Sequence, residues 1–213
     1  MKIKDNFLKI LFKKIDLKNK RVLEIGCGDG FRTKQISKNK GVKIIAIDPD
    51  KKNILSARKN FSSKNIKYII LNAENLAFKL KSFDVVIFTL SLHHMKSPKK
   101  ALIEVNRVLK EGGNIVIIEP GFHGPFFDAE IMFDCFDGDE RDKKEKTYKL
   151  IMKDSKIKNK KEFFSKTEWS FNSLSDFNKN MKPKKNIKKV KEFLEENNYK
   201  LWGERRINIF SKI

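Results

Sequence analysis

Five short apolar runs, separated by stretches with helical spacing, constrain the fold of this chain more than any other feature of its sequence. The runs cover residues 21–25, 42–47, 66–70, 83–88 and 114–118. Each is apolar over nearly its whole length, which is typical of a strand buried on both faces in a parallel sheet. Helices must then cover both faces of that sheet, joined to the strands by right-handed crossovers. The alternation therefore predicts a doubly wound, Rossmann-like α/β fold.

The alternation stops after Pro120 for about sixty residues, which is much longer than the usual connection between two elements. We interpret residues 121–183 as a substrate cap inserted after the fifth strand. Ligands of doubly wound folds bind outside the carboxyl ends of the strands, so a cap is expected over that edge of the sheet. The whole chain, residues 1–213, is then a single domain.

Helical and strand patterns also mark the two ends of the chain. Apolar residues at helical spacing predict an amphipathic helix over residues 7–15. Near the carboxyl end, Ile187, Val190 and Leu194 form the apolar stripe of a helix predicted over residues 184–197. Two short strands, 201–202 and 207–210, are predicted to close the chain.

Composition excludes several classes of protein. The 213 residues contain no apolar run close to the length of about 18–20 residues that a membrane span needs, and no leader-like segment at Met1. Only two cysteines occur, Cys27 and Cys135, and neither belongs to a Cys-x-x-Cys pair. We therefore expect a cytoplasmic protein with no disulfide framework, no metal site and no membrane partner.

The formal net charge of +21 raises the question of nucleic-acid binding. The basic residues comprise 41 Lys and only 7 Arg, although Arg is the residue preferred for bidentate phosphate contacts. Residues 111–140 hold eight acids and no Lys or Arg. The distribution favours a solvated basic surface over a polyanion site, and nucleic acid stays open as the less favoured partner.

A glycine-rich loop follows the first apolar run. Gly26, Gly28 and Gly30 let the backbone approach a ligand, and the following helix offers unpaired N–H groups. A dinucleotide fingerprint would require a small residue at position 31, where this chain has Phe31. The acid before the loop, Glu24, suits a ligand that carries amino and sulfonium charges. A tight turn without a ligand is the alternative.

Asp48 ends the second apolar run, 18 positions after Gly30. An acid at this place can accept hydrogen bonds from both ribose hydroxyls of an adenosine. It can also cap the helix that follows it. The two roles are compatible, and together with the glycine loop they indicate an adenosine-containing cofactor.

Several motifs stand in one order along the chain, and that order resembles a known family. They are VLEIGCGDG at 22–30, ID at 47–48, NAENLAF at 72–78, FDVV at 83–86, LHH at 92–94 and LKEGG at 109–113. Over about residues 20–120 the chain resembles the class I S-adenosylmethionine-dependent methyltransferases of the ubiquinone/menaquinone-biosynthesis type, also called methyltransferase type 11. The resemblance implies a mostly parallel seven-stranded sheet with an antiparallel carboxyl-terminal strand pair, and S-adenosyl-L-methionine as the cofactor.

The resemblance also implies which residues bind the cofactor. Carried over position by position, they are Glu24, Gly26, Cys27, Gly28, Gly30, Asp48, Pro49, Asn72, Ala73, Glu74, Thr89 and Leu90. The glycine loop would lie under the methionine moiety, and Glu24 would orient its amino group. Asp48 would hold the ribose and Pro49 would flank the adenine. Asn72 stands where the family often has an aspartate that accepts from the adenine amino group.

Methyl transfer is an in-line displacement, so the protein mainly aligns the reactants and excludes water. A general base is needed only where the acceptor carries a proton. The three histidines, His93, His94 and His123, all follow strand ends. His94 is our first candidate for a base or a substrate-positioning group, followed by His93 and by Glu119. A packing role for the His-His pair and a capping role for Glu119 are the alternatives.

The acceptor is indicated by the segment after the fifth strand. There, aromatic residues at 122–127 precede an acidic stretch at 128–140, which would suit a small, partly apolar or cationic acceptor and repel RNA phosphates. The opposing feature is a run with six lysines at 182–191. We therefore predict methyl transfer to an oxygen, nitrogen or carbon of a small molecule. RNA methylation and a non-catalytic cofactor-binding scaffold are the alternatives.

Overall fold

A computed structural model describes residues 1–153 and 157–212 of the chain. The strands are β1 (Lys2–Asp5), β2 (Arg21–Ile25), β3 (Lys43–Asp48), β4 (Ile66–Ile70), β5 (Phe83–Thr89), β6 (Leu109–Pro120), β7 (Ile157–Ser170) and β8 (Lys200–Lys212). The α-helices are α1 (Phe7–Lys14), α2 (Phe31–Ile36), α3 (Lys51–Asn60), α4 (Pro98–Val108), α5 (Pro125–Phe133), α6 (Arg141–Lys153), α7 (Leu174–Met181) and α8 (Val190–Glu196).

The strands form one sheet in the order β1-β7-β8-β6-β5-β2-β3-β4. The five strands from β6 to β4 are parallel, and β8, β7 and β1 are antiparallel to their neighbours. The order reverses at β2, which lies between β5 and β3, so the sheet is doubly wound as predicted. None of the helices in the described part of the chain is long and apolar enough to cross a membrane.

The predicted count of seven strands is wrong, because the sheet has eight. The additional strand is β1, which pairs antiparallel with β7 from Lys2 opposite Ser170 to Asp5 opposite Thr167. Its sequence, KIKD, is polar and short, as is common for a strand at the edge of a sheet. Hydrophobic patterning therefore gives no signal for it.

The predicted antiparallel carboxyl-terminal pair exists, but its members differ from the prediction. The two short strands at 201–202 and 207–210 are parts of one strand, β8, and the partner of β8 is β7. Strand β7 lies inside the segment that we interpreted as a cap, so that segment contains a sheet strand as well as helices. The charged sequence of β7 hid it, since an antiparallel strand needs only one covered face.

Two element boundaries also differ from the sequence prediction. Helix α4 ends at Val108 and β6 begins at Leu109, so the fifth strand starts five residues before the predicted run 114–118 and contains Gly112 and Gly113. Near the carboxyl end, α8 covers only Val190–Glu196, and Ile187 lies in a preceding 3-10 turn with 59% of its surface exposed. Ile187 therefore does not belong to an apolar stripe.

Successive residues of the central strands enter two separate cores, one on each face of the sheet. Val22 and Val85 belong to the core that α1, α2 and α3 cover, whereas Leu23 and Val86 belong to the core under α4. This is why the strands are apolar at consecutive positions. A third cluster joins α5, α7 and α8 to Trp169 of β7, which stacks on Phe126. Residues after β6 thus add a small core of their own.

Phe88 fills the second of these cores from the carboxyl end of β5 and is fully buried. We expect Phe88→Ala to lower the free energy of unfolding by about 3–5 kcal/mol, because the cavity it leaves adds to the lost apolar burial. Urea denaturation measures this change. Phe164→Ala on β7 is the matched control, because Phe164 is 50% exposed, and it should cost less than about 1 kcal/mol. Equal losses would contradict this assignment of the core.

Candidate active site

The loop after β2 is built from glycines in the left-handed region. Gly26, Gly28 and Gly30 have φ values of +74°, +54° and +85°, which favour glycine at all three positions. A Cβ on Gly26 would lie 2.2 Å from the Cβ of Ser91, and one on Gly30 would lie 2.7 Å from the Tyr68 hydroxyl. A Cβ on Gly28 would meet no atom of the chain within 4 Å. Gly26 and Gly30 therefore serve packing, whereas Gly28 borders open space.

Asp48 at the end of β3 holds this loop in place. Its Oδ2 accepts a hydrogen bond of 2.9 Å from the backbone N–H of Gly28. Its Oδ1 accepts from the backbone N–H of Asp50 at 2.9 Å and from the side-chain amide of Asn53 at 3.3 Å. The carboxylate is buried, so these donors offset the loss of water around it. Asp48 therefore joins the ends of β2 and β3. It does not cap α3, because the N-cap is Asp50, whose side chain accepts a hydrogen bond from the N–H of Lys52.

A cavity of about 580 Å³ opens at this carboxyl edge of the sheet. Ten of the twelve predicted cofactor residues line it: Gly26, Cys27, Gly28, Asp48, Pro49, Asn72, Ala73, Glu74, Thr89 and Leu90. Gly30 and Glu24 lie behind the lining. Its volume is in the range of small-molecule sites, and it lies at the point where the strand order reverses.

Glu24 lies beneath the cavity and is fully buried. Its Oε1 accepts a hydrogen bond of 3.0 Å from the hydroxyl of Thr89, whereas its Oε2 has no hydrogen-bond partner among the described residues. Burial raises the pKa of Glu24 to about 7, against the lowering effect of the Thr33 and Thr89 hydroxyls. Glu24 therefore titrates close to neutral pH, and a cation bound beside it would favour its ionised form.

The end of β5 forms another part of the wall, and sequence reasoning missed one of its residues. Ser91 lines the cavity and donates a hydrogen bond of 2.7 Å to the carbonyl of Ile25. Leu90 has a φ of +54°, an uncommon value for a residue with a Cβ, and its N–H bonds the carbonyl of Ile118. The need for glycine at position 26 is the only sequence signal that could have pointed to Ser91.

Asn72 and Glu74 line the opposite wall and are tied to their own surroundings. The Asn72 side-chain oxygen accepts a hydrogen bond of 3.1 Å from the N–H of Glu74. One carboxylate oxygen of Glu74 accepts from the N–H of Ser97 at 2.8 Å. The predicted adenine acceptor at Asn72 thus shapes its loop as well as facing the cavity.

Arg32 is a second lining residue that the sequence did not single out. Its Nε bonds the carboxylate of Asp5 on β1 at 2.8 Å, and Asp5 also accepts from the hydroxyl of Thr167. Strand β1, which hydrophobic patterning does not predict, therefore positions the Arg32 guanidinium at the cavity. Cys27 also lines the cavity, and burial raises the pKa of its thiol, so this residue stays neutral there.

The histidines differ in position. His94 lines the cavity and is partly exposed, whereas His93 is buried behind it. Nδ1 of His93 bonds Glu119, which also accepts from the N–H of Leu92 at 2.9 Å. Burial, followed by the neighbouring His93, lowers the pKa of His94. His123 is exposed and does not line the cavity.

Glu140, which the sequence did not indicate, completes this group from the residue before α6. Its carboxylate lies 3.5 Å from Nε2 of His93 and 3.7 Å from Nδ1 of His94. Burial of Glu140 opposes ionisation, but Lys143 and the two histidines outweigh it and lower its pKa. Together, His93, His94, Glu119 and Glu140 form what we term the histidine cluster.

Comparison with known proteins finds relatives for the segment that carries most of this cavity. Residues 23–117 match the family described as "Methyltransferase domain". Two curated relatives align with about half of the chain. The ubiquinone/menaquinone biosynthesis C-methyltransferase UbiE of Wigglesworthia glossinidia brevipalpis is 34% identical over 116 residues, which are 52% of this chain and 46% of that protein. A tRNA U34 carboxymethyltransferase of Pseudomonas paraeruginosa is 30% identical over 106 residues, 48% of this chain and 33% of that protein.

The fold extends the likeness beyond the aligned segment. An S-adenosylmethionine-dependent methyltransferase of Aquifex aeolicus superposes with a TM-score of 0.58 at 17% identity, over 94% of this chain and 89% of that chain. The chain spans less than half the length of the two curated relatives it matches. Residues 23–117 match a methyltransferase-domain family, and over that segment the predicted resemblance to methyltransferases is confirmed.

The raised pKa of Glu24 predicts a dependence of stability on pH. Between pH 4.5 and about 7 the folded state keeps a proton that the unfolded state releases, so the free energy of unfolding should fall as pH rises. By pH 8 the loss should reach about 3 kcal/mol. Glu24→Gln has no ionisable group at this position and should not show this loss. The variant should therefore be more stable than the wild type at pH 8 and equally stable at pH 4.

Urea denaturation across this pH range measures the effect, and the exposed Glu196→Gln is the control. The control should follow the wild-type curve. Parallel curves for the wild type and Glu24→Gln would contradict the raised pKa.

Proposed function

We propose that this protein transfers a methyl group from S-adenosyl-L-methionine to an acceptor on a small molecule. The observation that carries the proposal is the cavity at the switch point of the sheet, where the buried Asp48 carboxylate holds the glycine loop and Gly28 borders open space. The methyltransferase-domain match supports the cofactor class.

The residues of the cavity fit this cofactor group by group. Asp48 is positioned to accept from ribose hydroxyls while it bonds the loop, and Pro49 provides a flat apolar contact for adenine. The buried Oε2 of Glu24, which lacks a partner among the described residues, and the hydroxyl of Thr89 suit an amino group at the methionine end. A buried carboxylate that takes up a cationic partner becomes fully charged, which strengthens the interaction.

The bound cofactor supplies a methyl group on a sulfonium, and this chain's residues align and shield the acceptor. Ser91 and Leu90 fix the end of β5, so the wall beside the reacting atoms is rigid. His94 faces the cavity and is the residue we assign to the acceptor. His93 and Glu119 act through it, because both are buried behind His94. Where the acceptor carries a proton, this cluster removes it.

A small acceptor is supported by the charge near His94. Glu140 is buried beside the histidines, and Asp139 and Glu140 precede α6 in the acidic stretch. Arg141 and Lys143 pair with these two acids, so the segment offers an RNA phosphate no excess of positive charge. We propose that the helices α5 and α6, within residues 121–183, form the substrate cap. The relative named as a C-methyltransferase of ubiquinone/menaquinone biosynthesis supports a carbon acceptor on a small molecule.

RNA is the second candidate, favoured by the net charge of +21 and by the tRNA-modifying relative. The six lysines of 182–191 are exposed and would be the contact surface. If RNA binds through these lysines, the logarithm of the binding constant should fall linearly with the logarithm of salt concentration. The slope should be about −0.7 for each phosphate contact with a single strand. Filter binding to tRNA at several salt concentrations measures this slope. We expect weak tRNA binding that is unchanged when the six lysines are replaced. A steep salt dependence that disappears with the lysines would instead establish RNA as the acceptor.

Isothermal calorimetry with S-adenosylhomocysteine tests the cofactor. We expect binding to the wild type, and Asp48→Asn should weaken it by about 1–3 kcal/mol, since charge-assisted hydrogen bonds to the ribose are lost. The exposed Asp50→Asn, two residues along the chain, is the matched control and should bind almost as the wild type does.

A 2′-deoxyribose analogue separates the ribose contact from a general loosening of the loop. The wild type should discriminate against the analogue, whereas Asp48→Asn should bind both ligands about equally. A folded wild-type protein that binds neither ligand would overturn the proposed function. Discrimination that persists in Asp48→Asn would remove Asp48 from the ribose site.

A further inference from the structure

We propose that His93, His94 and Glu140 bind a divalent transition-metal ion at the acceptor side of the cavity, with Zn²⁺ as the ion best matched to the donors. Two imidazoles and one carboxylate are a common ligand set for zinc sites that keep one position open. The donor atoms of the three residues all lie within 4.8 Å of one another. The prediction of no metal site rested only on the two cysteines; Glu140 lies 46 positions after His94, so no local motif joins the three ligands.

Two of the distances between donor atoms are close to those found around a coordinated ion. Ligands at about 2.0–2.1 Å from a tetrahedral zinc are about 3.3 Å from one another. His93 Nε2 lies 3.5 Å from Glu140 Oε2, and His94 Nδ1 lies 3.7 Å from Glu140 Oε1. These two distances end on different oxygens of Glu140, and the donor set as a whole lies within 4.8 Å, so coordination of one ion requires the side chains to close by up to about 1.5 Å.

Glu119 supports the site from behind. A metal-bound histidine usually donates its other ring N–H to a carboxylate, which fixes the tautomer and the direction of the ring. Nδ1 of His93 bonds Glu119 and Nε2 faces Glu140, so the tautomer that carries its proton on Nδ1 presents the Nε2 lone pair to a metal. The hydrogen bond from Leu92 to Glu119 holds this carboxylate in turn.

Glu140 provides an independent observation that points to a cation. Its side chain is 7% exposed, and Oε2 has no hydrogen-bond partner among the described residues. Leaving a buried carboxylate oxygen unpaired is costly. Lys143 bonds only the other oxygen, Oε1, at 3.0 Å, and its side chain is 64% exposed, so it can move into solvent. A metal ion would satisfy Oε2.

Three protein ligands leave a fourth position, and His94 directs that position to the cavity because it lines the wall. Water or an oxygen of the acceptor would occupy it. The role toward the acceptor rests on the proposed function, whereas metal binding itself rests only on the four side chains. The site therefore favours an oxygen acceptor, whose deprotonation a bound cation assists.

Metal binding is tested on the full chain, freed of affinity tags and treated with a chelator. Calorimetry with ZnCl₂ measures affinity and stoichiometry, and CoCl₂ reports geometry through its visible absorption. We expect one zinc per chain and the intense bands of tetrahedral Co²⁺. Glu140→Gln and His94→Asn should each weaken zinc binding at least about tenfold, and Glu119→Gln, which acts through His93, by about 10–100-fold.

The exposed Glu145→Gln on α6 is the matched control and should bind zinc as the wild type does. His94→Asn keeps the experiment decisive where Glu140→Gln fails to fold, because the His94 side chain is 45% exposed. Binding of S-adenosylhomocysteine, measured without metal, separates failure of this proposal from failure of the proposed function. Zinc affinity that is equal in the wild type, Glu140→Gln and His94→Asn, or absent from all, would overturn the proposal.

Discussion

The carboxylate of Asp48 is the interaction on which the site depends. It lies at the end of β3, yet it bonds the N–H of Gly28 in the loop after β2, so two neighbouring parallel strands end in one joined structure. The parallel sheet makes this possible, because the carboxyl ends of its strands meet at the same edge. Its buried position makes the interaction strong, since few waters compete for the carboxylate. The glycine loop has its shape through packing against Ser91 and Tyr68, and Asp48 sets where it lies.

The parallel part of the fold could be predicted because its signal is local. Strands such as β2 and β5 are buried on both faces, so their consecutive apolar residues are visible in the sequence. The antiparallel part could not be predicted in the same way. Strand β7 carries charges along most of its length, and β1 consists of four residues with alternating lysines. Their positions are set by pairing with β8 and with each other, which no local pattern records.

The residues of the candidate site also differ in how far the sequence could predict them. Residues that follow apolar strands, such as Asp48 and Thr89, could be placed at the cavity because the strand ends were predicted. Arg32 and Glu140 were missed because their positions depend on contacts distant in sequence: Arg32 on Asp5 of the unpredicted β1, and Glu140 on the histidines. Glu24 was identified as the acid before the glycine loop, and the family resemblance gave it a role at the methionine end. Its buried Oε2 and raised pKa follow only from packing that the sequence does not display.

Under the proposed function, charge near the reacting groups, rather than the total charge, would determine which acceptor enters. The net charge of +21 resides largely on solvated lysines, whose fields salt screens within about 10 Å. Glu119 and Glu140 are buried against the histidines, where the effective dielectric is lower and each charge acts more strongly. An anionic acceptor would lose affinity at these carboxylates unless a cation stood between them. A metal ion held by His93, His94 and Glu140 would be such a cation, and its presence would change which acceptors the same cavity can use.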